Sequence, residues 1–503
     1  MYRIIHVNDA RHLSRNFGFF DTLGLKGPKP VVIFGNLLDL LFVSKPDLEV
    51  QRTKQFGKIY GIFEGSKPLV QVAEPDIIKQ ILVKDFRVFN TKPRITNVGH
   101  PVIESMLITT RGDTWRRART AVSHGFTVAR MRKQYVPVRH CVSEHLLPVL
   151  YTHADSRTPC DLKRVYSCFA LSCITRCAFG VPTDPYNEPQ HPFVANAWPV
   201  FRLPVWKLFA LQVLPPYALR LLNISSFFDE TRIANIARTI RQIIRAKASA
   251  GDNGDDFISA VINSKPDVYD DQDVDSLVMA AKTDGQNVVK APLTEDEMVA
   301  QGFNIFTAGF DQMANLLAFV SYELALKPEA QDRLYAEIVA AGAHTNGEIS
   351  YDELRRLPYM DAVVNETLRL HATPVKLRRI PGHDFPLAGT GIVVPRGQPL
   401  EIPIYANHHS DEYFPDAERF IPERFLPENR HNIKPYTFLP FSTGPRVCVG
   451  KPFVLLETKL ALFHVLRRFR FAVHKDTKVP PIVKTHPMIK SLESLYISVV
   501  ARD

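Results

Sequence analysis

Phe441-Ser442-Thr443-Gly444-Pro445-Arg446-Val447-Cys448-Val449-Gly450 decides how this chain is read. A helix is expected directly after it, from about Pro452 to Phe469, because Phe453, Leu456, Leu460, Phe463 and Leu466 repeat at the three-and-four spacing of a core-facing stripe. The N-terminus of that helix would point back at Cys448, where free N–H groups and the helix dipole stabilise a thiolate. Gly444 and Gly450 let the backbone lie close against a flat group. Arg446 can pair with an anion, and Phe441 can cover the sulfur. A lone cysteine ahead of a helix reads most simply as a small buried residue. The pattern FxxGxRxCxG, met here at all five fixed positions, is too restrictive for that reading.

The second informative stretch lies upstream. Thr294 followed three residues later by Glu297 is a capping-box pattern, so a helix should run from about Glu295 to Leu326 and stop before Pro328. From Met298 to Tyr322 it is uncharged apart from Asp311. An apolar helix of that length must cross the centre of the protein, and one acid in its middle is costly to bury. Around it, short strands are expected at Ile59–Phe63 and Leu69–Val72. A basic helical region is expected from Trp115 to Lys133, and mostly helix from 135 to 250. Further helices are expected at Pro328–Gly342 and Asp352–Leu370, with a final strand over Leu492–Val500. Residues 251–292, polar and acid-rich, read as a linker.

Composition sets outer bounds. The chain has 503 residues, 45% hydrophobic and 23% charged, with 62 Lys and Arg against 52 acids, a net charge of +10. That excess suits an acidic partner or an anionic membrane. Nucleic acid is disfavoured, because no basic run interleaves with stacking aromatics. The six cysteines form no CxxC pair and no disulfide framework. Residues 1–25 are expected to be an N-terminal segment without a transmembrane anchor, since no run reaches the ~18–20 apolar residues of a span. Residues 26–503 are expected to form one catalytic domain. Residues 198–228 are unusually apolar but interrupted by prolines, which suits a surface lying on a membrane or, alternatively, a pair of core helices.

The cysteine segment resembles the haem-binding loop of cytochromes P450, and further motifs occur in that family's order. Glu366-Thr367-Leu368-Arg369 is similar to its ExxR helix, and Phe420–Phe425 to its PERF element, with Arg424 joining Glu366 and Arg369. Trp115 and Arg119 match its WxxxR pattern. The resemblance implies a mainly α fold, with a small β-rich region and haem between the long helix and the cysteine loop. It implies haem b as cofactor, Cys448 as the iron ligand, and Trp115, Arg119, Arg379 and Arg446 as propionate partners. Phe441, Gly444 and Gly450 would complete the cradle. Ala308-Gly309-Phe310-Asp311-Gln312 resembles the oxygen-binding segment, with Ala308 and Gly309 leaving room for a diatomic ligand. Asp311 and Gln312 would be the catalytic pair, Gln312 standing where the family usually has threonine. Glutamine is longer than threonine and is no simple substitute for a hydroxyl.

The implied activity is NADPH-driven insertion of one oxygen atom from O2 into a lipophilic small molecule, the thiolate favouring O–O cleavage. Electrons would arrive through NADPH-cytochrome P450 reductase, with cytochrome b5 as a second donor. The partner's acidic face would meet Arg116, Arg117, Arg132, Lys133, Lys434 and Lys451. Location at the cytoplasmic face of the endoplasmic reticulum membrane is implied as well. Gln312 keeps two alternatives open: an isomerase or dehydratase acting on a lipid peroxide or endoperoxide, and a non-catalytic haem sensor. Candidate pocket residues are Val98, Ile103, Met106, Leu107, Phe303, Phe310 and Val375; taken singly, each reads equally as core.

Overall fold

In the computed structural model the longest element is the helix Glu295–Leu326, and its start is fixed by side chains. The Thr294 hydroxyl accepts from the Glu297 N–H, and the Glu297 carboxylate accepts from the Thr294 N–H at 2.8 Å, so two otherwise unpaired donors are met reciprocally. The helix ends at Lys327 because Pro328 opens the next one, Pro328–Gly342. From Val299 to Ala325 almost every residue is buried. Helices Leu162–Phe179 and Glu230–Ala250 pack along it. Each large apolar side chain buried there contributes about 1.5–3 kcal/mol. The structure describes residue 14 and residues 16–502, apart from 94–98, 202–205, 208–209, 212–213, 215, 223, 225–227, 265–290, 344–346 and 486–489.

The β-rich region near the N-terminus is a four-stranded sheet. Strands Ile59–Glu64 and Lys67–Val72 pair antiparallel, Lys67–Val72 runs parallel to Leu400–Ile402, and Leu400–Ile402 pairs antiparallel with Leu377–Arg379. Successive strand residues face opposite sides. Arg378 therefore joins Glu401, at 2.5 Å, and Glu64 on one face, which leaves Arg379 for the other. A smaller sheet joins Cys160–Asp161, Phe469–Val473 and Tyr496–Ala501.

Several sequence boundaries need correcting. Pro358 divides the expected helix over 352–370 into Tyr351–Leu354 and Pro358–Leu370, since proline cannot continue a helix but can begin one. The basic region from Trp115 becomes Gly112–Ser123 and Val128–Cys141, the second capped by the Thr127 hydroxyl. The final strand is two, Lys490–Leu492 and Tyr496–Ala501. Residues 251–292 are not linker throughout. Most of that stretch lies outside the described residues, but Phe257–Ile262 is a buried helix capped by Asp256, which accepts from the Ser259 N–H at 2.9 Å. Flanking acids masked its apolar run in the sequence, and Phe257 stacks on Phe126 at 4.4 Å between centroids.

Among the described residues no helix is long and apolar enough to cross a membrane. The 198–228 stretch divides its apolar side chains between core and surface. Trp198 and Phe201 pack on Phe310, and Phe228 on Phe303. Trp206, Tyr217, Leu221 and Leu222 are exposed, Leu221 at 87%. A second apolar outcrop, Leu41 and Phe42, lies near the start of the chain.

Candidate active site

The cysteine loop is closed by its own backbone. The Cys448 N–H donates to the Phe441 carbonyl at 2.9 Å, and the Val447 N–H to the Gly444 carbonyl at 2.9 Å. Gly444 has φ +73, and a Cβ there would come within 2.0 Å of the Leu82 carbonyl oxygen. Its requirement for glycine is thus already set by protein backbone. Gly450 meets only ordinary contacts, with Phe126 and the Cys448 sulfur, so any stricter demand there comes from a bound group. The helix that follows runs Lys451–Arg468. Cys448 lies deep in the protein yet keeps accessible surface, so it faces an interior space. Burial pushes its thiol up, against the pull of the Gly450 and Lys451 N–H groups and of Arg119 and Lys92.

Behind the loop, Glu366 and Arg369 are both wholly buried. Arg369 Nε and Nη2 donate to the two oxygens of Glu366 at 2.7 and 2.8 Å. Its remaining donors reach the carbonyls of His408 at 2.8 Å, Ala417 at 2.7 Å and Arg419 at 3.1 Å. All five guanidinium donors are satisfied, the condition under which such burial is tolerated. Arg424 approaches Glu366 at 3.4 Å, as expected from the sequence.

His408 carries this network forward to the loop. Its Nε2 accepts from the Leu439 N–H at 2.9 Å, so the proton sits on Nδ1, which donates to the Arg369 carbonyl at 3.2 Å. Burial, then Arg369 and His409, hold its pKa well below 6.5. A histidine held neutral on folding contributes stability that is present above the unfolded pKa and lost as pH falls below it. His408→Leu, which leaves the Leu439 N–H without a partner, should cost about 1–3 kcal/mol at neutral pH. Below pH 6.5, wild-type stability should fall more steeply than that of His408→Leu, by about 1.4 kcal/mol per pH unit for this one proton. Denaturant titrations across that range would show it, and parallel slopes would remove His408 from this role.

On the central helix the non-buried positions between Val299 and Ala325 are Asn304, Ala308, Gly309, Asp311 and Gln312. Ala308 is exposed although its helix neighbours are mostly buried. A Cβ on Gly309 would lie 2.5 Å from Ile174 Cδ1, so Gly309 allows close approach of the neighbouring helix. Asp311 is explained by a partner the sequence reading missed. Lys163 donates to its Oδ1 at 2.7 Å, with Asn315 at 3.2 Å and Ser491 at 3.3 Å on Oδ2. Gln312 makes no side-chain hydrogen bond among the described residues. Phe303 and Phe310 lie about 140–160° round the helix from Ala308 at 100° per residue. They are packed into core aromatics, so neither is on the open face. Ile103, Met106, Leu107 and Val375 are buried, and Val98 lies outside the described residues.

Similarity to known proteins agrees with this arrangement. The family model described as cytochrome P450 matches residues 25–498. The chain belongs to the cytochrome P450 family. Cytochrome P450 3A25 of Mus musculus is 29% identical over 491 residues, covering 97% of this chain and 93% of the relative. Cytochrome P450 3A29 of Sus scrofa is 30% identical over 492 residues with the same coverage, and cytochrome P450 3A9 of Rattus norvegicus 31% over 503 residues. As a member, the chain is a P450 monooxygenase of mainly α fold whose cofactor is iron protoporphyrin on a cysteine thiolate, working with a redox partner on a small-molecule substrate.

The residues around Cys448 fit that cofactor. Arg379 and Arg446 are buried, and Arg379 Nε and Arg446 Nε and Nη1 have no hydrogen-bond partner among the described residues. Burial brings Arg379 down to about 10. Burial, then Arg379, Arg111 and Arg119, brings Arg446 to about 9. Lys92 is driven well below its ordinary value by burial and by Arg379, Arg446 and Arg119. Crowded cations with unmet donors call for anions, and the two propionates of this P450's haem supply two. Trp115 is buried beneath the Arg446 guanidinium, 4.4 Å from its ring centroid, and Arg119 donates to the Val447 carbonyl at 2.7 Å. Lys92 and Arg111 were missed in the sequence. Lys92 is set beside Arg379 by the bridge between Thr91 and Ile380, a long-range pairing no local pattern signals.

The cations expected to face a redox partner fare unequally. Arg117 is half-buried and paired with Glu297, so it is not available for docking. Arg116 is taken by Asp113 at 2.6 Å, and the more exposed Arg132 and Lys133 lie on Asp352 and Asp255. Lys434 is partly exposed, 4.0 Å from Glu74, and Lys451 is exposed.

Proposed function

We propose that Cys448 is the sulfur ligand of this P450, that Trp115, Arg119, Arg379 and Arg446 with Lys92 hold the propionates, and that the enzyme oxidises a lipophilic small molecule. Bound haem supplies oxygen activation, and the thiolate favours O–O cleavage. The chain's own residues do the rest. The Gly450 and Lys451 N–H groups hold negative charge on the sulfur. Ala308 leaves room opposite it, and Gln312 presents an amide to the same space. Asp311 is held by Lys163 on one oxygen and by Asn315 and Ser491 on the other, so these three residues set its position on the helix. The observation that supports the reading is the set of crowded cations, Arg379 and Arg446 with unmet donors and Lys92 beside them, close to the Cys448 sulfur.

Electrons come from NADPH through NADPH-cytochrome P450 reductase, with cytochrome b5 as a second donor. Lys434 and Lys451 are the least engaged of the expected cations and steer docking, with Arg132 and Lys133 contributing through their exposed pairs with Asp352 and Asp255, at a rate that falls as salt rises. The exposed Trp206, Tyr217, Leu221 and Leu222 make an apolar outcrop suited to lie on the endoplasmic reticulum membrane at its cytoplasmic face, and Leu41 and Phe42 make a second. The deciding experiment compares product formed with reductase and NADPH against product formed from an organic hydroperoxide alone. NADPH-dependent oxygen insertion is expected; rearrangement of the peroxide with no NADPH-dependent product would favour an isomerase. In the same assay Gln312→Thr should lower the hydrogen peroxide released per product severalfold, and an unchanged ratio would deny Gln312 a part in proton delivery.

A further inference from the structure

The face of the central helix centred on Ala308 carries four carboxamides: Gln301, Asn304, Gln312 and Asn315. At 100° per residue all four fall within about 40° of Ala308. The outer two are fully engaged. Gln301 accepts from the Leu107 N–H at 2.9 Å and donates to the Ser105 carbonyl at 2.7 Å. Asn315 accepts from the Leu492 N–H at 3.0 Å and donates to Asp311. These bonds tie the helix to the 105–107 segment at one end and to the strand Lys490–Leu492 at the other. Between them the face is open, and Asn304 and Gln312 flank Ala308 one turn away on each side.

Asn304 is harder to explain than its neighbours. It is half-buried, its side chain makes no hydrogen bond among the described residues, and it neither caps the helix nor bonds back to it. Asparagine is a weak helix former, and an amide half-withdrawn from water with no protein partner is costly. A leucine there would serve both the helix and a purely hydrocarbon ligand better. We infer that Asn304 is a specificity-determining residue that hydrogen-bonds one oxygen, carbonyl or hydroxyl, of an otherwise lipophilic substrate. Its amide offers both donors and an acceptor, so either oxygen type is served. Four residues at 1.5 Å set it about 6 Å along the axis from Ala308, which sets the spacing between the group that anchors the oxygen and that small residue. Gln312, on the other side of Ala308, is left to the oxygen chemistry. The inference rests on the reading of this space as the substrate site.

The test is an equilibrium titration of the haem-loaded protein with cyclododecanone and with cyclododecane, followed by the substrate-induced Soret shift. The wild type should bind the ketone more tightly than the hydrocarbon. Asn304→Leu should reduce that preference by about 3- to 10-fold, the loss of one hydrogen bond in a largely desolvated site. Asn304→Thr, which keeps a shorter polar group, should fall between, and carries the same comparison if the leucine variant does not retain haem. The carbon-monoxide band and NADPH-dependent turnover of the wild type report separately on the underlying reading. With those intact, equal affinity of the wild type for both probes, or a preference that survives Asn304→Leu, overturns the inference.

Discussion

Replacing Cys448 with serine should leave a folded protein whose reduced, carbon-monoxide-treated form lacks the thiolate-type Soret band, and whose NADPH-dependent product falls to background. The loop does not depend on the sulfur for its shape. It is closed by Cys448 N–H to the Phe441 carbonyl and Val447 N–H to the Gly444 carbonyl, bonds a serine keeps. What serine lacks is a soft anion. A hydroxyl stays protonated where even the thiol is pushed up by burial, whereas a thiol bound to a metal is deprotonated outright. Arg379 and Arg446 remain, so haem should still be drawn in by its propionates, with a spectrum changed rather than absent. Folding is read by far-ultraviolet circular dichroism, haem content by pyridine haemochrome, and ligation by the carbon-monoxide difference spectrum. A variant that keeps the thiolate band would sink the assignment of Cys448.

The parts legible in the sequence are those written in local pattern. The capping box at Thr294 and Glu297 and the apolar run behind it give the central helix to the residue, Glu295–Leu326. The stripe after Cys448 gives the following helix within one position at each end. Proline signals mark helix starts correctly, but Pro358 was passed over inside an otherwise continuous pattern. What stayed hidden is pairing over long range. Lys163 sits beside Arg164 at the start of an apolar helix, where the pair reads as two ordinary surface cations, and only the fold brings Lys163 to Asp311. His408 reaches Leu439 and Arg369 only when three separate segments meet. The carboxamides were visible: a count by period along the central helix would have set Gln301, Asn304, Gln312 and Asn315 on one face, a polar stripe on a helix read only for its lack of charge.

The second large effect is expected at Arg369, and it separates two views of the same buried pair. If Glu366 and Arg369 matter only as an ion pair, removing both should be mild, since apolar groups of similar size often replace buried pairs at little cost. The geometry argues otherwise. Arg369 also ties together the carbonyls of His408, Ala417 and Arg419, and Glu366 also accepts from the Ile421 N–H at 2.9 Å. These segments lead into the cysteine loop through His408 and Leu439. Arg369→Leu alone should destabilise by about 3–5 kcal/mol, because the Glu366 charge is left buried with only Arg424 nearby. Glu366→Leu with Arg369→Leu should recover little of that, since each orphaned carbonyl and N–H still lacks a partner. Denaturant midpoints would measure the stability, and the carbon-monoxide spectrum would report whether the loop still holds the thiolate. A double variant as stable as the wild type would show that the pair is no more than a tolerated charge, and that the backbone carbonyls it gathers are satisfied in some other way.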